Sequence, residues 1–154
     1  MTVEDFITSY NKGLVPDITG NNILTEKEVL LDGIVLTNTV YELVEGIVLH
    51  LNHKDGVVTQ LTIFIDTLPY FTDAEATLIH GYRTMHSIEN MFDTTLPSHL
   101  ATVAKNQYRA IIQSLSRATS QERERRLRYG GNEYLFRGSL GKILVTATLK
   151  SENN

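Results

Sequence analysis

The sequence predicts an α+β fold: a mostly antiparallel sheet of four or five strands with two long helices packed on one face. Three observations carry this. Runs dense in Val, Ile, Leu and Thr gather between residues 28 and 66, and such side chains suit a pleated surface. Two stretches of helical apolar spacing follow one another between residues 73 and 115. A second group of strand-like residues comes after Gly130-Gly131. Strands and helices are clustered, not alternating, which argues against a doubly wound parallel sheet. The predicted order is α-β-β-β-α-α-β-β.

Residues 3–12 predict a short helix, because Val3, Phe6, Ile7, Tyr10 and Leu14 fall on one face. Thr2 can cap it and Gly13 can end it. Val15 to Asn22 is a loop rich in turn formers. Residues 28–38, 40–53 and 57–66 read as three strands. Lys54-Asp55-Gly56 marks a hairpin between the last two, since Asp-Gly tolerates the positive φ of a tight turn. On the third strand Val57, Thr59, Leu61, Ile63 and Ile65 share a face. On the second, Tyr41, Leu43, Ile47, Leu49 and Leu51 share a face, opposed by Glu42, Val44, Gly46 and His50. One apolar side and one mixed side imply a sheet covered on a single face.

Thr72-Asp73-Ala74-Glu75 matches a capping box and predicts a helix from about 73 to 92. Leu78, Tyr82, Met85 and Phe92 supply its stripe, with Ile79 and Ile88 widening it. Pro97 breaks the chain, and Ser98 is the expected cap of a second helix. Leu100, Ala104, Tyr108, Ile111 and Leu115 form its buried stripe. Arg117 to Arg128 reads as a solvated helix, because Glu122/Arg126 and Glu124/Arg128 stand four apart with the acid first. Strands over 132–137 and 142–149 complete the pattern, with Gly138-Ser139-Leu140-Gly141 as their connection.

A length of 154 residues fits one domain spanning 1–154, large enough to bury a core without staples. The absence of cysteine removes thiol nucleophiles, disulfides, zinc–thiolate sites and iron–sulfur clusters. It also fits a reducing, cytoplasmic compartment. The first residues are acidic and amphipathic, unlike a secretory leader, and no apolar run is long enough to span a bilayer. No membrane association is therefore expected.

The sequence holds no GxSxG and no HExxH. Gly138-Ser139-Leu140-Gly141-Lys142 has two residues between its glycines where a phosphate loop has four, and Ile143 follows the lysine. His50 and His53 point to opposite faces of a strand, and His80 and His86 are too far apart around a helix to share an ion. Neither a metal nor a cofactor is expected. The best polar constellation is His86, Glu89, Asn90 and Asp93, spaced 0, 3, 4 and 7 on one helix face. Such a face can set a carboxylate beside an imidazole for proton transfer, the basis of an alternative reading as a small enzyme or small-molecule binder. The simpler reading is the solvated side of an amphipathic helix.

Charge is the most uneven property. Residues 1–66 hold ten acids and three bases, whereas residues 121–154 hold four acids and seven bases. Glu26, Glu28, Asp32, Glu42, Glu45, Asp55 and Asp66 decorate the strand region. Gathered on one surface, they would steer a cationic protein partner. Arg117, Arg123, Arg125, Arg126 and Arg128 form the opposing cluster. Nucleic-acid binding is not expected from it, because the whole chain is acidic and Glu122 and Glu124 interrupt the run. The expected function is a non-enzymatic protein-binding module, such as a cytoplasmic immunity protein that neutralises a basic bacterial toxin.

Overall fold

The apolar alternation of residues 47–66 folds as a long hairpin at the heart of the sheet. The computed structural model describes the backbone of residues 1–13, 29–31, 34–36, 40–44, 46–66, 74–116, 123–139 and 142–151, and the side chains of 1–13, 46–66, 81–115, 123–138 and 142–151. Helix α1 covers Val3–Gly13, followed by strands β1 (Val29–Leu31), β2 (Ile34–Leu36), β3 (Val40–Val44), β4 (Ile47–Lys54) and β5 (Val57–Asp66). Helices α2 (Ala74–Thr95) and α3 (Ser98–Ser116) come next, then β6 (Arg123–Tyr129), β7 (Asn132–Ser139) and β8 (Lys142–Thr148). The class is α+β. The predicted order needs correction, for among the described residues five strands precede the helix pair and three follow it.

Six strands form an antiparallel sheet in the order β3-β4-β5-β8-β7-β6, and β1 pairs with β2 separately. The departures from expectation have local causes. Residues 28–38 contain the β1–β2 hairpin in place of one strand, with Val29 opposite Leu36. The stretch 40–53 is also two strands. Gly46 sits at φ 85°, which a residue with a Cβ rarely adopts, and its carbonyl accepts a hydrogen bond from the Asp66 amide at 2.8 Å. The chain reverses there, so Tyr41 pairs back onto Leu49. The described part of the arginine run is not a helix: Arg123 to Tyr129 is an extended edge strand paired along its whole length with β7. Gly138 and Ser139 belong to β7 and not to the connection.

Alternation along the strands fills the core. Ile47, Leu49 and Leu51 of β4, Leu61, Ile63 and Ile65 of β5, Ile143, Val145 and Ala147 of β8, and Tyr134 and Phe136 of β7 are all buried. Each large apolar side chain so buried stabilises the fold by roughly 2 kcal/mol. A register shift between Asn52 and His53 skips Thr59, because Asn52 faces Gln60 and His53 faces Val58. The bulge turns Val58 into the core and leaves Val57 38% exposed, which corrects the face assigned to Val57 and Thr59.

Three helices, not two, contribute to this core. Phe6 and Tyr10 come from α1, Ile88, Met91 and Phe92 from α2, and Ala101, Ala104, Tyr108 and Leu115 from α3. Phe92 is the hub, its ring 5.0 Å from Tyr134, 5.8 Å from Tyr108 and 6.5 Å from Phe136. The predicted stripe of α3 holds. That of α2 is rotated: Tyr82 is exposed, and Thr84, Ser87 and Asn90 are buried in its place. The cause is α1, whose Tyr10 hydroxyl donates to the Ser87 carbonyl at 3.1 Å and whose Tyr10 carbonyl accepts from Asn90 Nδ2 at 2.7 Å. At the helix starts, Thr2 Oγ1 accepts from the Asp5 amide at 3.0 Å, as its capping role requires. Ser98 is already helical, and the Pro97 carbonyl accepts the first amides, from Leu100 and Ala101. Leu14, Thr72 and Arg117 lie outside the described residues, as do the side chains of Leu78 and Ile79.

Candidate functional site

The described acidic residues of the predicted set, Glu42, Asp55 and Asp66, occupy both ends of the sheet. Asp55 lies in the β4–β5 turn at φ 52°. Asp66 ends β5, about 30 Å away along a strand at its usual rise. Glu42 stands on edge strand β3 opposite Val48, and Val48 stands opposite Phe64. Glu42 and Asp66 therefore share one end, and Asp55 takes the other. Glu26, Glu28, Asp32 and Glu45 lie outside the described residues.

The late arginines have their own acids. Arg126 bridges Glu124 at 3.1 Å and Glu133 at 3.0 Å, and Arg128 reaches Glu133 at 3.1 Å. Arg137 approaches the second oxygen of Glu124 at 4.0 Å. These groups share the outer sheet face, since Arg128 is the cross-strand partner of Glu133 and Glu124 that of Arg137. Cross-strand and same-strand neighbours thus replace the helical Glu124/Arg128 pair expected from the sequence. Glu122 lies outside the described residues.

The polar face of α2 is divided. Glu89 accepts hydrogen bonds from the Tyr108 hydroxyl and from Arg109, both at 2.8 Å, and Asp93 pairs with Lys105 of α3 at 2.7 Å. Asn90 turns to α1. His86 stacks on Tyr82, ring centroids 6.0 Å apart, and its Nε2 has no hydrogen-bond partner. Burial pushes the Glu89 carboxyl up, but the bonds from Arg109 and Tyr108 outweigh it and hold Glu89 below its ordinary value. Burial and the Glu89 bond raise Tyr108, and burial raises Tyr10 despite its bonds to Ser87 and Asn90. Glu89 is thus a locked, ionised clamp between helices, with a low affinity for the proton a general base must take up. His86 and Glu89, adjacent on the helix, are drawn to different surroundings.

A hollow of about 580 Å³ opens at the Asp55 end of the sheet, lined by Lys54, Asp55, Val58, Thr95, Asn132 and Lys150 among others. Met1 contributes to one wall, where its carbonyl accepts from the Val58 amide at 2.9 Å beside the point at which β8 leaves β5. Its floor is a closed polar network. Asn132 Nδ2 donates to the Thr95 carbonyl and the Tyr134 hydroxyl at 3.1 Å each, Tyr134 and Thr95 share a 2.9 Å hydroxyl bond, and Asn132 Oδ1 accepts from the Lys150 amide at 2.8 Å. Sequence reasoning missed this hollow because its lining comes from widely separated elements and carries no motif. Neither His86 nor Glu89 lines it.

Among the described residues no three His, Asp or Glu side chains converge as metal ligands, and no helix is long and apolar enough to cross a membrane. Compared with known proteins, the chain matches no family model, no curated protein and no solved structure.

Proposed function

We propose that this chain is a non-enzymatic protein-binding module whose acidic first half meets a basic protein partner, in the manner of a cytoplasmic immunity protein that neutralises a bacterial toxin. One observation carries the reading. The described ion pairs of the late arginines are made with Glu124 and Glu133, inside their own hairpin. Those pairs use none of the acids of residues 1–66, and like-signed carboxylates speed the approach of a cationic partner. Glu42 and Asp66, at one end of the sheet, mark where that field begins, with Glu45 next to the same turn in sequence. A polar α2 face already engaged by α1 and α3 also favours binding over catalysis.

The test starts from affinity capture in the native host, with the partner identified and then purified. Its association rate with this chain should fall roughly tenfold in the Glu42→Lys/Glu45→Lys double variant and fall with added salt. An unchanged rate in both measurements removes the electrostatic reading.

A further inference from the structure

We infer that the free edge of β6 docks an extended acidic peptide segment, which adds to the sheet as one more strand. This goes beyond the acidic-surface reading: it concerns the opposite sheet edge and the opposite charge, and it stands if that reading fails.

Strand β6 ends the sheet order, and among the described residues no strand pairs on its outer side. Its hairpin fixes which backbone groups are open. Tyr129 and Asn132 flank the two-residue turn Gly130-Gly131, at φ 59° and 84°. The pair closing such a turn exchanges both backbone hydrogen bonds, and bonded pairs then recur every second residue. Tyr129, Leu127, Arg125 and Arg123 therefore direct their backbone toward β7. Arg128, Arg126 and Glu124 direct N–H and C=O outward.

Open edges are usually blunted by shortness, proline or a bulge. Strand β6 is seven residues long, has no proline and pairs with β7 without a register shift. Among the described residues charge is its safeguard, with four arginines against one glutamate. That safeguard is selective. A second copy pairing along this edge would set arginine against arginine, which destabilises a sheet. A strand with acids at alternating positions would instead meet arginines on either face. Arg125 donates to the Glu124 carbonyl at 2.8 Å and Arg123 to the Ser114 carbonyl at 3.5 Å, so neither of those bonds uses a carboxylate. Among the described residues Arg126 and Arg128 share Glu124 and Glu133 between them, and each guanidinium has five donors. A nucleic-acid backbone fits less well, because phosphates accept hydrogen bonds but cannot donate to the outward carbonyls of residues 126 and 128. Strand addition satisfies both sets and lets side chains choose the partner.

The test uses the full chain and two fluorescent peptides as long as β6. One alternates Glu with Thr; the other carries the same glutamates alternating with Pro, which keeps the charge and removes ladder donors. The Glu/Thr peptide should bind and protect the Glu124, Arg126 and Arg128 amides from hydrogen exchange. The Glu/Pro peptide, and the Glu/Thr peptide on the Arg125→Glu/Arg128→Glu variant, should each bind at least about tenfold more weakly. Equal affinity for the two peptides, or no protection at the three amides, overturns strand addition whether or not the variant folds. Tighter binding of a single-stranded oligonucleotide than of the Glu/Thr peptide overturns the peptide assignment.

Discussion

Two hairpins of the main sheet turn through a pair of residues at positive φ: Asp55 (52°) and Gly56 (79°) between β4 and β5, Gly130 (59°) and Gly131 (84°) between β6 and β7. Beyond the turn they part company. The β4–β5 hairpin sits inside the sheet, and its inward side chains from Ile47 to Ile65 are nearly all fully buried. The β6–β7 hairpin sits at the rim. Its inner strand β7 supplies Tyr134 and Phe136 to the core, while β6 keeps Arg123 to Arg126 in solvent and is tied by exposed ion pairs. Hydrophobic burial holds the first, and the second borrows most of its stability from the neighbour it leans on. Exposed pairs of this kind contribute typically under about 1 kcal/mol.

That contrast can be broken by mutation. The largest effect should come from Leu61→Ala in the central hairpin, a loss of about 3 kcal/mol in urea denaturation, because a buried leucine leaves a cavity. Gly138→Ala should cost about 2 kcal/mol: the new methyl would lie 2.9 Å from Leu115 Cβ, so α3 must move off the rim hairpin. Thermal melting of the glycine variant at wild-type temperature would show that the α3–β7 contact is slack. The smallest effect belongs to Arg126→Ala, within about 1 kcal/mol and smaller still in high salt. A loss matching that of Leu61→Ala would mean that charge, not burial, secures the rim.

The same contrast explains what could be read from the sequence. The Asp-Gly turn and the apolar alternation after it are legible because no helix places those residues on one side. The β6 segment is ambiguous for a geometric reason. Positions four apart lie on one face of a helix, and also on one face of a strand, where faces repeat every two residues. Glu124 and Arg128 therefore satisfy both patterns, and only pairing with β7 decides between them. Gly46 hid a chain reversal inside an apolar run, so one expected strand became two. The candidate site was legible as a charge asymmetry and as a polar spacing on α2, but not as a location. Where Asp55 and Asp66 sit depends on strand length and order. That Asn90 is buried depends on Tyr10, eighty positions earlier.

Strand β8 comes last among the described strands, yet it lies in the middle of the sheet, bonded to β5 on one side and β7 on the other. During synthesis, no strand ladder joins the two hairpins until β8 leaves the ribosome. Their contacts close very long loops, and such topologies fold slowly. Until then the nascent chain exposes unpaired, apolar strand edges on β5, which makes it a natural client for chaperones that shield growing polypeptides.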